Sequence, residues 1–147
     1  MIRKNRSLKL SIAFTTFFTI LLSFLTFSAP WSVNIICKVF HHEHLTDFLL
    51  FMTYLAIPAG WGALIMLYKI LFNVKNKKVF IDENVKVLTI LSWLCFYVGI
   101  ISMVGAFLFV AFVLVSLSAL FIGLIVRVVR NIIEEAILLK EDSDLTI

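Results

Sequence analysis

The residues best equipped for chemistry stand together early in the chain, as His41-His42-Glu43-His44 followed by Asp47. On a helix, His41 and His44 share one face with Asp47 a turn further on, a spacing that suits zinc or copper held by imidazole and carboxylate. The set is incomplete, because two or three ligands from one short segment need another contributor. A solvated polar loop between two apolar helices has the same composition. No metal is therefore expected, and His41, His44 and Asp47 are the residues that would hold one. Cys37 and Cys95 fall on different segments without metal or redox spacing, so both are read as structural. No nucleophile is paired with a base, and the remaining carboxylates stand on solvated stretches. The protein is not expected to be an enzyme, and no cofactor is implied.

The elements around this cluster are built for a medium other than water. The 147 residues are 62% hydrophobic and 15% charged, with a mean hydropathy of +1.07, outside the range of soluble globular domains. Three stretches lack Asp, Glu, Lys, Arg and His: Leu10 to Cys37, Phe48 to Tyr68 and Val87 to Val126, of 28, 21 and 40 residues. A membrane crossing takes about 20 residues. As one helix the third stretch would be about 60 Å long, twice the roughly 30 Å hydrocarbon core, so it must be a hairpin, with its turn placed near residues 106 to 111. The expected architecture is an all-α integral membrane protein, a four-transmembrane-helix bundle forming a single domain over 1–147. Spans are placed at about 9–29, 47–68, 85–106 and 110–130, followed by a cytoplasmic helix and tail over 131–147. Val33 to Phe40 reads as a short interfacial helix, with Trp31 at headgroup depth. The first apolar run exceeds that of a secretory signal, and Pro30 follows the small residues Ser28 and Ala29, so it is read as a retained helix.

Basic residues set the orientation. Along the chain the flanking segments hold Arg3, Lys4, Arg6 and Lys9; then Lys38; then Lys69, Lys75, Lys77, Lys78 and Lys86; then none; then Arg127, Arg130 and Lys140. Because basic residues are retained on the cytoplasmic side, both termini and the central loop are placed in the cytoplasm, and the first and third loops outside. The net charge of +4 is then topological, and direct nucleic-acid binding is not expected. The absence of ionisable residues within the spans argues against a pump or proton-coupled carrier. The hydroxyls of Thr15, Thr16, Thr19, Ser23, Thr26, Ser92 and Ser102 are expected to bond their own backbone or a neighbouring helix. Pro58-Ala59-Gly60-Trp61-Gly62-Ala63 predicts a kink with close packing. Small-residue packing serves contacts within and between chains alike, so a homo-oligomer is compatible with it.

In the central loop, Asn76 and its basic neighbours suggest a turn, and Asp82 is expected to cap the next helix with Glu83 favoured by the helix dipole. After the fourth span, Val128, Val129, Ile132, Ile133, Ala136 and Ile137 keep helical spacing beside Arg130, Glu134, Glu135 and Lys140, so one face of that extension needs cover.

Two segments, Val79-Phe80-x-x-Glu83-Asn84-Val85-Lys86-x-Leu88 followed by Trp93, and the chain end Leu139-x-Glu141-x-x-Asp144-Leu145-Thr146-Ile147, resemble a family of small four-helix bacterial membrane proteins catalogued as domain of unknown function 2975. The resemblance covers the architecture of nearly the whole chain. Ser92 stands where the family has Gly before the tryptophan, and Glu134 or Glu135 where it has Gly or a basic residue. The resemblance implies a bacterial cytoplasmic membrane protein encoded beside a small helix-turn-helix regulator, hence a membrane partner of a transcription factor. In that reading Phe80, Glu83, Asn84 and Lys86 from the loop and Glu141, Asp144, Leu145 and Ile147 from the tail contact the partner. An alternative arrangement folds the tail onto the loop and pairs Lys86 with the tail carboxylates. Alternative functions are a self-protection protein of the bacteriocin-immunity kind and a small passive transporter.

Overall fold

The computed structural model describes residues 2–145 and holds four long helices: α1 over Ile2–Val39, α2 over Thr46–Lys75, α3 over Asp82–Ala106 and α4 over Ala111–Leu145. A short 3-10 turn, Glu43–Leu45, precedes α2, and no strand occurs among the described residues. Each helix is long and apolar enough to cross a membrane. Large apolar side chains such as Phe27, Trp31, Phe51, Phe72 and Leu114 point outward, an arrangement suited to a multi-pass membrane protein.

The turn between α3 and α4 falls at residues 107–110, inside the expected window, where the Gly105 carbonyl accepts from the Leu108 and Phe109 amides at 3.1 and 3.0 Å. The first helix corrects the sequence reading. It runs unbroken for 38 residues, about 57 Å, so Val33 to Val39 belongs to it and forms no separate interfacial helix. Pro30 lies inside it, as Pro58 lies inside a continuous α2. What ends α1 is backbone chemistry: His42 N–H reaches the Cys37 carbonyl at 2.8 Å and His41 N–H the Lys38 carbonyl at 3.2 Å. With His41 at φ 57°, this is a Schellman stop.

Helices pack antiparallel on their chain neighbours, α3 against α4 most extensively, and α1 makes no close backbone approach to α3 or α4. Small residues bring α3 and α4 together. A Cβ at Gly99 would sit 2.7 Å from the Leu120 side chain, and one at Gly123 2.9 Å from Phe96. The buried Ser116 hydroxyl donates to the Gly99 carbonyl at 2.8 Å. Gly60 faces Leu22 on α1, and Gly62 faces Leu94 on α3, so the predicted close packing around Pro58 runs to both sides of α2.

The span hydroxyls behave as expected. Thr15, Thr16, Thr19, Ser23 and Thr26 donate to carbonyls four residues back at 2.7 to 2.9 Å, Ser92 donates to the Thr89 carbonyl, and Ser102 is buried. Two side chains of α2 join them across the seam, Trp61 Nε1 donating to Thr26 Oγ1 at 3.3 Å and the Tyr68 hydroxyl meeting Thr16 and Thr19 at 3.3 and 3.1 Å. At the opposite end, buried Val33, Cys37 and Leu49 pack with Phe109 and Phe112, which ties the α3–α4 turn to α1 and α2.

Candidate functional site

The alternation of directions brings the start of α1, the α2–α3 loop and the end of α4 to one end of the bundle, and the loop there is held by its own side chains. Helix α2 closes with a second Schellman stop, Lys78 N–H on the Asn73 carbonyl at 2.8 Å and Lys77 N–H on the Val74 carbonyl at 3.0 Å. Lys77 takes the left-handed conformation, φ 61°, in the position where glycine is commonest. The expected turn is therefore present, with Lys77 rather than Asn76 absorbing the reversal.

Asn84 locks the rest of the loop. It is 1% exposed; its Oδ1 accepts from Asn73 Nδ2 at 2.8 Å, and its Nδ2 donates to the Lys78 and Val79 carbonyls at 3.0 and 2.7 Å. A buried amide whose bonds run to the loop backbone and to the end of α2 shapes the surface from beneath. Asn84, expected among the contact residues, is thus buried beneath them, and its partner is Asn73, which sequence patterning overlooked. Asp82 is likewise reassigned: Ile81, extended at φ −129° and ψ 150°, holds the cap position without a side-chain bond, and Asp82 and Glu83 occupy the first helical turn, where the helix dipole favours carboxylates.

Helix α4 is moored to α3 by two arginines whose place in the sequence pattern was only that of topological charges. Arg130 Nε donates to Thr89 Oγ1 at 2.9 Å, and its Nη1 lies 2.9 Å from both Asn131 Oδ1 and Glu134 Oε2. One turn away, the Arg127 guanidinium lies over the Trp93 ring, 5.3 Å from its centroid. Thr89 and Trp93 are four residues apart on α3, and Arg127 and Arg130 three apart on α4, so two helical stripes meet. The spacing was visible in the sequence; the register that pairs the stripes was not. Following this register, Ile137, buried at 9% exposure, lies level with the start of α3. Residues 138–145 run on as helix for about 12 Å.

The tail therefore continues α4. Lys86 is exposed, and Arg130 pairs with Glu134 on the same helix. Phe80, Glu83 and Lys86 stand exposed at the loop, and Glu141, Asp144 and Leu145 on the tail; Leu138 and Leu139 are exposed beside them. Loop and tail share this end of the bundle. Ile147 lies outside the described residues.

At the other end, the histidine cluster does not form the helical face on which a metal site would depend. Helix α1 stops at Val39, His41 is left-handed, and Asp47 belongs to the next helix. His42 packs edge-on against His44 and Phe109, with centroids 5.9 and 5.6 Å apart. Among the described residues, no group of three His, Cys, Asp or Glu side chains is placed to hold a metal ion.

A family description, Protein of unknown function (DUF2975), matches residues 12–147. The chain belongs to this family. DUF2975 thus takes in the Asn73–Asn84 clamp, the Arg127 and Arg130 moorings and the tail, and leaves out residues 1–11. Neither a curated protein nor a solved structure matches the chain.

Proposed function

We infer that this protein is a non-enzymatic regulatory component of the cytoplasmic membrane, which holds a small cytoplasmic helix-turn-helix transcription regulator at its loop end. Basic residues concentrate at that end, supporting a cytoplasmic placement of the central loop and both termini. The observation that carries the reading is the tail: α4 outruns α3 and leaves Leu138, Leu139 and Leu145 exposed among the carboxylates of Glu141 and Asp144. A helix with uncovered leucines beyond the bilayer border suits a protein partner that lays its own apolar surface against it. The Asn73–Asn84 clamp supports the same reading, since a loop with a fixed shape presents Phe80, Glu83 and Lys86 without the entropy cost of ordering them on binding. The kind of partner is what the family resemblance implies.

The test is a detergent-solubilised pull-down with three baits: wild type, a chain truncated after Lys140, and Phe80→Ala with Glu83→Ala and Lys86→Ala. Asn84 is left intact because its loss would disturb the loop itself. A helix-turn-helix protein that co-purifies with wild type and is lost from both variants, while they keep wild-type helicity and membrane insertion, is the expected result. Equal capture by all three baits, or no such protein, refutes the docking surface and favours self-protection or passive transport.

A further inference from the structure

Between the first turns of α1 and the last turns of α2 lies a cleft of about 540 Å³. Its polar rim is Asn5, Ser7, Ser11, Lys75 and Lys77, and its floor is Leu8, Leu71 and Val74. Deeper along the same pair of helices is a second cleft, of about 310 Å³, lined by apolar residues that include Phe18, Leu25, Gly60 and Leu67. Heptad spacing relates the two: Ser11, Phe18 and Leu25 follow one stripe of α1, and Val74, Leu67 and Gly60 one stripe of α2. Both clefts therefore open on the same side of the α1–α2 seam, their centres about 15 Å apart along the helices. Gly60 lets Leu22 of α1 pack closely on α2 in the wall of the inner one, since a Cβ there would stand 3.2 Å from it.

A cleft with two ammonium groups, two hydroxyls and an amide, followed along the same seam by an apolar cleft, has the polarity profile of one molecule class, an anion joined to a hydrocarbon chain. We propose that this seam binds an anionic phospholipid, its phosphodiester held between Ser7, Ser11, Lys75 and Lys77 and one acyl chain lying along Phe18, Leu25, Gly60 and Leu67. Basic clefts between helices at the cytoplasmic border are where anionic headgroups are drawn. Lys77 adds a separate argument. It holds a left-handed position that glycine would fill at lower conformational cost, and the lysine there adds charge to the rim of the cleft. The occupant is a lipid and not a free anion, because the apolar cleft further along the seam offers nothing to phosphate alone. This inference rests on the membrane part of the proposed function and is independent of the transcription regulator.

The experiment reconstitutes the full chain in nanodiscs of equal phosphatidylglycerol and phosphatidylcholine with identical chains, re-extracts it, and measures the ratio of the two lipids retained. Wild type should retain phosphatidylglycerol preferentially. At about 1 kcal/mol per basic residue, or about five-fold each, Lys75→Gln with Lys77→Gly should lower the ratio about 25-fold. Lys77→Gly relieves the left-handed backbone, so its lipid-free unfolding temperature should be no lower than wild type, which separates loss of the site from loss of the fold. Ala63→Leu, which fills the apolar cleft, should lower phosphatidylglycerol retention, whereas Lys38→Gln, at the other end of α1, should not. An equal ratio in wild type, an unchanged ratio in the double variant, or displacement of the lipid by excess soluble glycerol phosphate would each overturn the site. Failure of the protein to enter the discs overturns the membrane reading together with it, whereas entry without lipid preference overturns the site alone.

Discussion

Replacing Asn84 with alanine should open the α2–α3 loop while leaving the four helices in place. The substitution removes one acceptor and one two-handed donor from a residue that is 1% exposed. Asn73 Nδ2, buried at the end of α2, loses its partner at 2.8 Å, and the Val79 carbonyl loses its donor at 2.7 Å. The Lys78 carbonyl, on an exposed residue, can turn to water. Two stranded groups at about 1–3 kcal/mol each give a local loss of roughly 2–6 kcal/mol. The loop carries Lys77 and Lys78, just after Lys75 at the end of α2, so trypsin reads its opening directly. When opening is fast relative to cleavage, the rate follows the open population, and 2 kcal/mol corresponds to about thirty-fold faster cutting. Limited tryptic digestion in detergent micelles, followed by mass spectrometry of the loop peptides, gives the number. Exposed Glu83→Ala is the control and should change the rate by less than about two-fold. If Asn84→Ala is cut no faster than that control, the amide does not hold the loop and the clamp is wrong.

Gly99→Ala should destabilise the α3–α4 pair by about 1–3 kcal/mol, because its Cβ would press on Leu120 at 2.7 Å; Gly62→Ala, facing the flexible tip of Leu94 at 3.1 Å, should cost less than half as much in the same detergent unfolding titration. Arg130→Met, which gives up Thr89 and Glu134 together, should lower stability by about 1–2 kcal/mol, and a cysteine pair spanning α3 and α4 should crosslink more slowly in that variant. His41→Gly, by contrast, should raise stability by about 0.5–1 kcal/mol, since it relieves a left-handed residue at the end of α1; a lower unfolding temperature would show that the imidazole does more there than accept a turn.

Hydropathy and charge were sufficient to find the four helices and the hairpin inside the 40-residue apolar run, because a bilayer imposes a length that few other structures share. Helix ends were less legible. Val33 to Val39 continues α1 since helices need not stop where a membrane does, and the stop at His41 depends on backbone bonds that no apolar period reveals. Position in a loop made Asn84 resemble a surface residue, although burial is decided by what folds over it, here the Val79 carbonyl and Asn73 from α2. Arg127 and Arg130 were legible as charges, but their partners Thr89 and Trp93 emerge only once the antiparallel register of α3 and α4 is known. The histidine cluster shows the converse, a suggestive spacing undone by a helix that ends at Val39, before any of its residues.

Because each helix packs on the one before it, the order of synthesis can also be the order of assembly. α2 finds its whole seam with α1 already made, α3 then meets α2, and α4 meets α3, with no helix waiting for a segment still on the ribosome. The α3–α4 turn is the exception, since Phe109 reaches back to Phe40, at 5.3 Å between ring centroids, and to His42. That aromatic contact needs both hairpins in place, which makes it the contact that closes the bundle.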